Sequence, residues 1–193
     1  MTIHKLTLGA LLLSGLTINT LACAQQEAEI SGILGGGISF GGETLVDNIR
    51  FSDGSSDEVK TGEGFWLDFG FRAHFQDWAL KSTLGYKSGG VFASNGDATF
   101  SRLPLTMIAS LDNNGHLFGA GFTYELNPEL ELDLPGLYGT AEFENALGLV
   151  LEYENNYDTW GWGVRYTHID YDYDATSETF DGNNIGAFFN WYF

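Results

Sequence analysis

The stretch Arg165-Tyr166-Thr167-His168-Ile169-Asp170-Tyr171 is where this 193-residue chain comes nearest to acid–base chemistry. A histidine titrates near neutrality and can take a proton from a nucleophile held within hydrogen-bond reach. His168 is placed for that role, with Asp170 two residues on. The other histidines beyond residue 24, His74 and His116, fall at short turns and read as surface polar residues. No Gly-rich phosphate loop, no His/Cys metal spacing and no nucleophile elbow occurs, so no metal or cofactor is expected.

The His168 stretch resembles the strand that carries the catalytic His-x-Ser-Asn of the lipid A deacylase family, itself an eight-stranded outer-membrane barrel. There the histidine is the base for a serine two residues on. In this chain the nucleophile position holds Asp170 and the Asn position holds Tyr171. A carboxylate cannot replace the acyl-accepting hydroxyl of that mechanism. No catalytic residue is assigned, and His168 reads as an exposed side chain at an outer rim. A lipid-modifying enzyme stays as an alternative, as does a narrow channel for small molecules.

The elements that would position such residues begin after a secretory signal. Lys5, the apolar run from Leu6 to Leu16 and the A-x-A pattern Ala22-Cys23-Ala24 define residues 1–24 as a cleaved segment. Lipid attachment at Cys23 is disfavoured because Thr20 stands where a Leu is expected. Cleavage after Ala24 removes 24 of 193 residues, leaving 169, and takes away the sole cysteine. The net charge then moves from −18 to −19, which argues against DNA, RNA and phosphate-rich partners. Beyond the signal no apolar run reaches about 20 residues, so helical membrane spans are excluded. With 26 Gly and 15 Phe in the whole chain, a closed β-barrel or a soluble sandwich fits the rest.

Alternation of apolar and polar residues marks eight strands. The second is the clearest: Phe65, Leu67, Phe69, Phe71, Ala73 and Phe75 alternate with Trp66, Asp68, Gly70, Arg72 and His74. The others lie near 30–40, 78–87, 100–110, 117–126, 143–153, 160–167 and 184–193. Short connections fall at 76–77, 112–115 and 154–158. Longer ones cover 41–62, 88–99, 127–140 and 172–183. Pro104 should leave a bulge or a missing ladder bond in the fourth strand.

The last strand decides between barrel and sandwich. Ile185, Ala187, Phe189, Trp191 and Phe193 form an apolar row ending on a terminal Phe. This ending resembles the C-terminal strand of bacterial outer-membrane β-barrels. The resemblance implies that Ile185, Phe189, Trp191 and Phe193 are an assembly signal read by the barrel-assembly machinery, with periplasmic chaperones as earlier partners. Short and long connections that alternate without exception agree with it. The expected fold is all-β: an eight-stranded antiparallel up-and-down transmembrane β-barrel over residues 25–193. Its short turns would face the periplasm and its longer loops the exterior, and it would be a monomer in outer-membrane lipid and lipopolysaccharide.

That orientation turns the polar faces inward. Asp68, Arg72, Lys81, Arg102, Glu144, Glu152 and Arg165 then line the lumen, with Arg102 and Arg165 as central cations and Glu144 as a partner of Arg165. An eight-stranded barrel is just wide enough for side chains to fill, and desolvated charges must pair. A plug of ion pairs is therefore expected rather than a pore. Phe75, Trp78, Tyr157, Trp160 and Phe193 would form the inner aromatic girdle, and Phe100, Phe143 and Tyr171 the outer one. With acidic outer loops and no catalysis, the role would be structural, adhesive or protective.

Overall fold

A computed structural model describes residues 28–50, 56–93, 96–134, 137–176 and 178–193. The expected signal segment and cleavage site, with Cys23, lie outside the described residues. Eight strands close into one barrel: β1 (Glu29–Gly41), β4 (Gly64–His74), β5 (Trp78–Ala93), β6 (Gly96–Asn113), β7 (His116–Leu134), β9 (Ala146–Tyr157), β10 (Trp160–His168) and β13 (Asn184–Tyr192). Each pairs antiparallel with its neighbours in chain order, and β1 pairs β13 to complete the ring. Five shorter strands lie in the long connections. They are β2 (Thr44–Arg50) with β3 (Ser56–Lys60), β8 (Leu137–Glu142) beside the end of β7, and β11 (Asp170–Asp172) with β12 (Thr179–Asp181).

Alternation sets the two faces. On β4, Phe65, Leu67, Phe69 and Phe71 are exposed while Trp66, Asp68 and Arg72 are buried. The same division runs through Leu80 and Leu84 on β5, Leu147, Leu149 and Leu151 on β9, and Trp162, Val164 and Tyr166 on β10. An apolar belt around the whole circumference is far larger than the patches that soluble monomers expose. It is a lipid-facing surface, with the polar parity inside.

The short connections sit together at one end. Asn114 (φ 56°) and Gly115 (φ 84°) are both left-handed, as the tightest hairpin turn requires. Phe75 stacks on Trp78 at 3.9 Å and Tyr157 on Trp160 at 4.4 Å beside these turns, so this end carries the inner aromatics.

Two segments read as loops prove to be strand. β5 and β6 continue to Ala93 and from Gly96, and β7 runs on to Leu134 before β8 turns back along it. The turn-type sequence Ser94-Asn95-Gly96-Asp97 and the prolines Pro128 and Pro135 favour a loop reading of these two stretches. The expected irregularity is present: the β6–β7 register slips by one residue between Ser101 and Leu103, beside left-handed Asn127 (φ 48°). The β5–β6 ladder also skips Leu103 and Pro104.

The outer aromatic girdle is corrected. Phe100, Phe143 and Tyr171 are buried and pack on one another, Phe100 meeting the other two rings edge-on at 5.5 and 5.4 Å. With Val59, Val91, Ala98, Leu130, Ala146 and Ile169 they form an apolar core across the outer mouth. Phe100 and Tyr171 are on the inward parity of their strands, and that parity persists above the belt.

The charged lumen as candidate functional site

The inward faces of the eight strands stack charged side chains in two compartments. The lower one lies toward the short turns. Lys81 from β5 contacts Glu152 and, at 3.2 Å, Glu154, both from β9. Arg165 from β10 places Nε and Nη2 each 2.8 Å from Glu152 Oε2, and its Nη1 is 4.0 Å from Asp68 Oδ2. Thr83 Oγ1 donates to the same Asp68 oxygen at 3.4 Å. Tyr192 and Asn190 from β13 donate to Glu154. Arg72 donates to Asn156 at 2.7 Å and lies 3.5 Å over the Tyr192 ring, as a cation–π contact. The compartment thus holds three cations and three carboxylates, all largely buried, with Lys81 and Arg165 in contact with the carboxylates and Arg72 held by Asn156 and Tyr192.

The upper compartment is smaller. Arg102 Nε donates to Glu125 Oε2 at 3.2 Å, and the Tyr171 hydroxyl donates to the same oxygen at 2.6 Å. Arg102 also reaches Thr61 O at 2.7 Å and Phe100 O at 3.4 Å, tying β6 to the segment that follows β3. Lys87 from β5 donates to Asn184 Oδ1 at 3.3 Å. Between the compartments lies a cavity of about 30 Å³, lined among others by Trp66, Asp68, Thr83, Lys87, Glu125 and Asn184. That is room for one or two waters.

Of the residues read from the sequence, Asp68, Arg72, Lys81, Arg102, Glu152 and Arg165 meet in the lumen. Glu144 does not. It is exposed outside the barrel, between the bridge at Phe143 and the start of β9, where its amide donates to Asp172 O at 2.9 Å. The expected Arg165–Glu144 pair is replaced by Arg165 with Glu152 and Asp68, because β9 starts only at Ala146. Lys87, Glu125 and Glu154 were missed. The first two lie on the polar parity of recognised strands, whereas Glu154 was assigned to a turn although β9 runs to Tyr157. Ile185, Phe189, Trp191 and Phe193 lie on the outward face.

His168 is exposed, with Nδ1 2.5 Å from Asn183 Oδ1. Among the described residues no hydroxyl or thiol is a hydrogen-bond partner of His168. Asp170 is exposed opposite Asp181 in the β11–β12 pair. His74 pairs with Asp112 at 2.7 Å, and His116 lies 2.8 Å from the Tyr153 hydroxyl. Among the described residues no group of His, Cys, Asp and Glu could hold a metal ion.

No protein-family model matches the chain, and no curated protein matches it. Solved structures do. Neisserial surface protein A superposes with a TM-score of 0.53 at 13% identity, over 86% of this chain and 99% of that one. Ail, the attachment invasion locus protein of Yersinia pestis, superposes with a TM-score of 0.50 at 16% identity, over 86% and 99%. The chain has the fold of a small outer-membrane β-barrel. The apolar belt, the sorted connections and the β1–β13 closure are the features of that outer-membrane fold.

Proposed function

We propose that this protein is a non-enzymatic, integral outer-membrane barrel with a side-chain-plugged lumen, presenting an acidic outer surface in a structural, adhesive or protective role. The observation that carries this reading is the segregation of charge. Among the described side chains, Arg72, Lys81, Lys87, Arg102 and Arg165 all face the lumen, and Lys60 alone of the cations lies outside, paired with Glu58 at 2.6 Å. The outer extension instead sets Asp97 opposite Asp133 and Glu129 opposite Glu142 across neighbouring strands. Like charges so placed cost stability, so the acidity serves the surface and not the fold.

The Ail structure was solved with the heparin analogue sucrose octasulfate. A polyanion of that kind is a poor match for the acidic extension here. The proposed partners are outer-membrane lipid and lipopolysaccharide around the belt, periplasmic chaperones and the barrel-assembly machinery during biogenesis. The mature barrel is proposed to be a monomer.

Three measurements test the reading. Planar-bilayer recordings should show no conductance steps, whereas regular openings would restore a channel. Purified lipopolysaccharide should keep its acyl chains, and their release would restore the enzyme. Cells with and without the protein should differ in surface attachment or in survival of host defences. Identical behaviour in both assays would remove the proposed surface role.

A further inference from the structure

The upper compartment carries one positive charge more than its carboxylates balance. Lys87 and Arg102 are directly opposed across β5 and β6, and both are buried. Glu125 from β7 is the carboxylate here, and Arg102 and Tyr171 both bond its Oε2. The lower compartment has no net charge to lend, because Asp68, Glu152 and Glu154 are matched in number by Arg72, Lys81 and Arg165. Among the described residues Lys87 has no carboxylate within ion-pair distance, only the neutral Asn184 oxygen at 3.3 Å. A buried ammonium without a counter-ion costs several kcal/mol.

The adjoining cavity offers the means to balance it. Trp66 is the direct partner of Lys87 across β4 and β5, and its indole Nε1–H is buried without an acceptor. The ammonium has protons left after its bond to Asn184. Thr83, Thr106, Thr123 and Thr167 add hydroxyls to the same walls. Asp68 Oδ1 is an unpaired acceptor here, but Asp68 itself is paired with Arg165 and accepts from Thr83. Lys87 and Trp66 bring unmatched donors, the local charge is positive, and about 30 Å³ suits an ion of one or two atoms.

We propose that this cavity binds one small monovalent inorganic anion of the chloride class, held by the Lys87 ammonium and the Trp66 indole N–H. The anion completes the charge balance of the lumen and is incorporated as the barrel folds. This goes beyond the plugged-lumen reading, since it concerns what the plug contains.

The test is reversible urea unfolding of the whole mature chain in detergent micelles, at constant ionic strength, with chloride replacing gluconate. Binding to the folded state alone should raise the folded-to-unfolded ratio by about tenfold for each tenfold rise in chloride above half-saturation. The Lys87→Met variant should lose that dependence. Equal stability in chloride and gluconate would overturn the proposal, as would an undiminished chloride effect in Lys87→Met. Should that variant fail to fold, crystals of wild-type protein refolded in bromide decide: an anomalous peak beside Lys87 Nζ supports the site, and its absence at full bromide overturns it.

Discussion

Gly32 and Phe193 lock the seam of the barrel. Their backbones exchange both hydrogen bonds, Gly32 N to Phe193 O at 2.7 Å and Phe193 N to Gly32 O at 3.1 Å. The Phe193 ring also lies over the glycine, so that a Cβ there would fall 2.6 Å from the ring. The two ends of the chain thus meet through a contact that needs an absent side chain on one partner and an aromatic one on the other.

Gly32→Val should therefore impair closure more than a valine at an exposed loop glycine. Folded barrels often resist unheated detergent, having no edge to fray. The readout is the fraction of unboiled protein that migrates differently from boiled protein. Phe193→Ala in the Gly32→Val background should return part of that fraction. A double variant no better than Gly32→Val would show that the ring is not what the valine strikes.

Arg165→Met should destabilise by about 3–5 kcal/mol, because Glu152 and Asp68 stay buried with one cation fewer. Adding Glu152→Gln should recover only part, since Lys81 also relies on Glu152. Urea titration in micelles of the two single variants and the double measures the coupling. Strict additivity would reject the pair.

Arg102→Met should loosen the outer mouth. Arg102 holds Thr61 O, and the buried Thr61 hydroxyl in turn accepts from the Glu43 amide at 2.9 Å and donates to Asp181 O at 2.5 Å. Hydrogen exchange at the Thr61 and Glu43 amides should quicken by about tenfold or more, the scale of a hydrogen bond lost from a charged group. Unchanged exchange would place the stability of the mouth in its apolar core alone.

The outer hairpin of β7 and β8 should be firmer in acid. Glu129 titrates above the ordinary carboxyl value of 4.5, raised by burial first and then by Glu131 and Glu142. The folded state then holds the proton more tightly than the unfolded state, so stability is full below the ordinary value and is lost as pH rises through the raised one. Exchange in the hairpin, corrected for intrinsic rates, should be slower near pH 4 than near pH 7. Glu129→Gln should flatten that difference.

Period two made most of the fold legible. Phe65 to Phe71 and Ile185 to Phe193 already separate a lipid face from a polar one, and the three short turns fix the direction of every strand. What stayed hidden lay above the belt. Phe100 and Tyr171 read as girdle residues because aromatics near a strand end suggest a membrane interface. The apolar core that buries them comes from connections distant in sequence. Lys87 and Glu125 were visible as inward residues, but their mismatch in charge needs the cross-strand register that sets Lys87 beside Arg102. Glu144 failed for a local reason: the bridge at Phe143 precedes β9, so alternation counted back from Glu152 does not reach it.

The gathering of Lys and Arg inside the barrel has a consequence for how copies stand beside one another. Among the described side chains the outer surface is mostly acidic, with Lys60 paired to Glu58, while the other Lys and Arg lie behind the wall. Two copies crowded in the same leaflet should then repel, as should a copy and any phosphate-bearing lipid beside it. Dense arrays of the barrel should then depend on divalent cations from the medium, and a chelator should scatter them without unfolding a single barrel, as sedimentation of reconstituted vesicles would show.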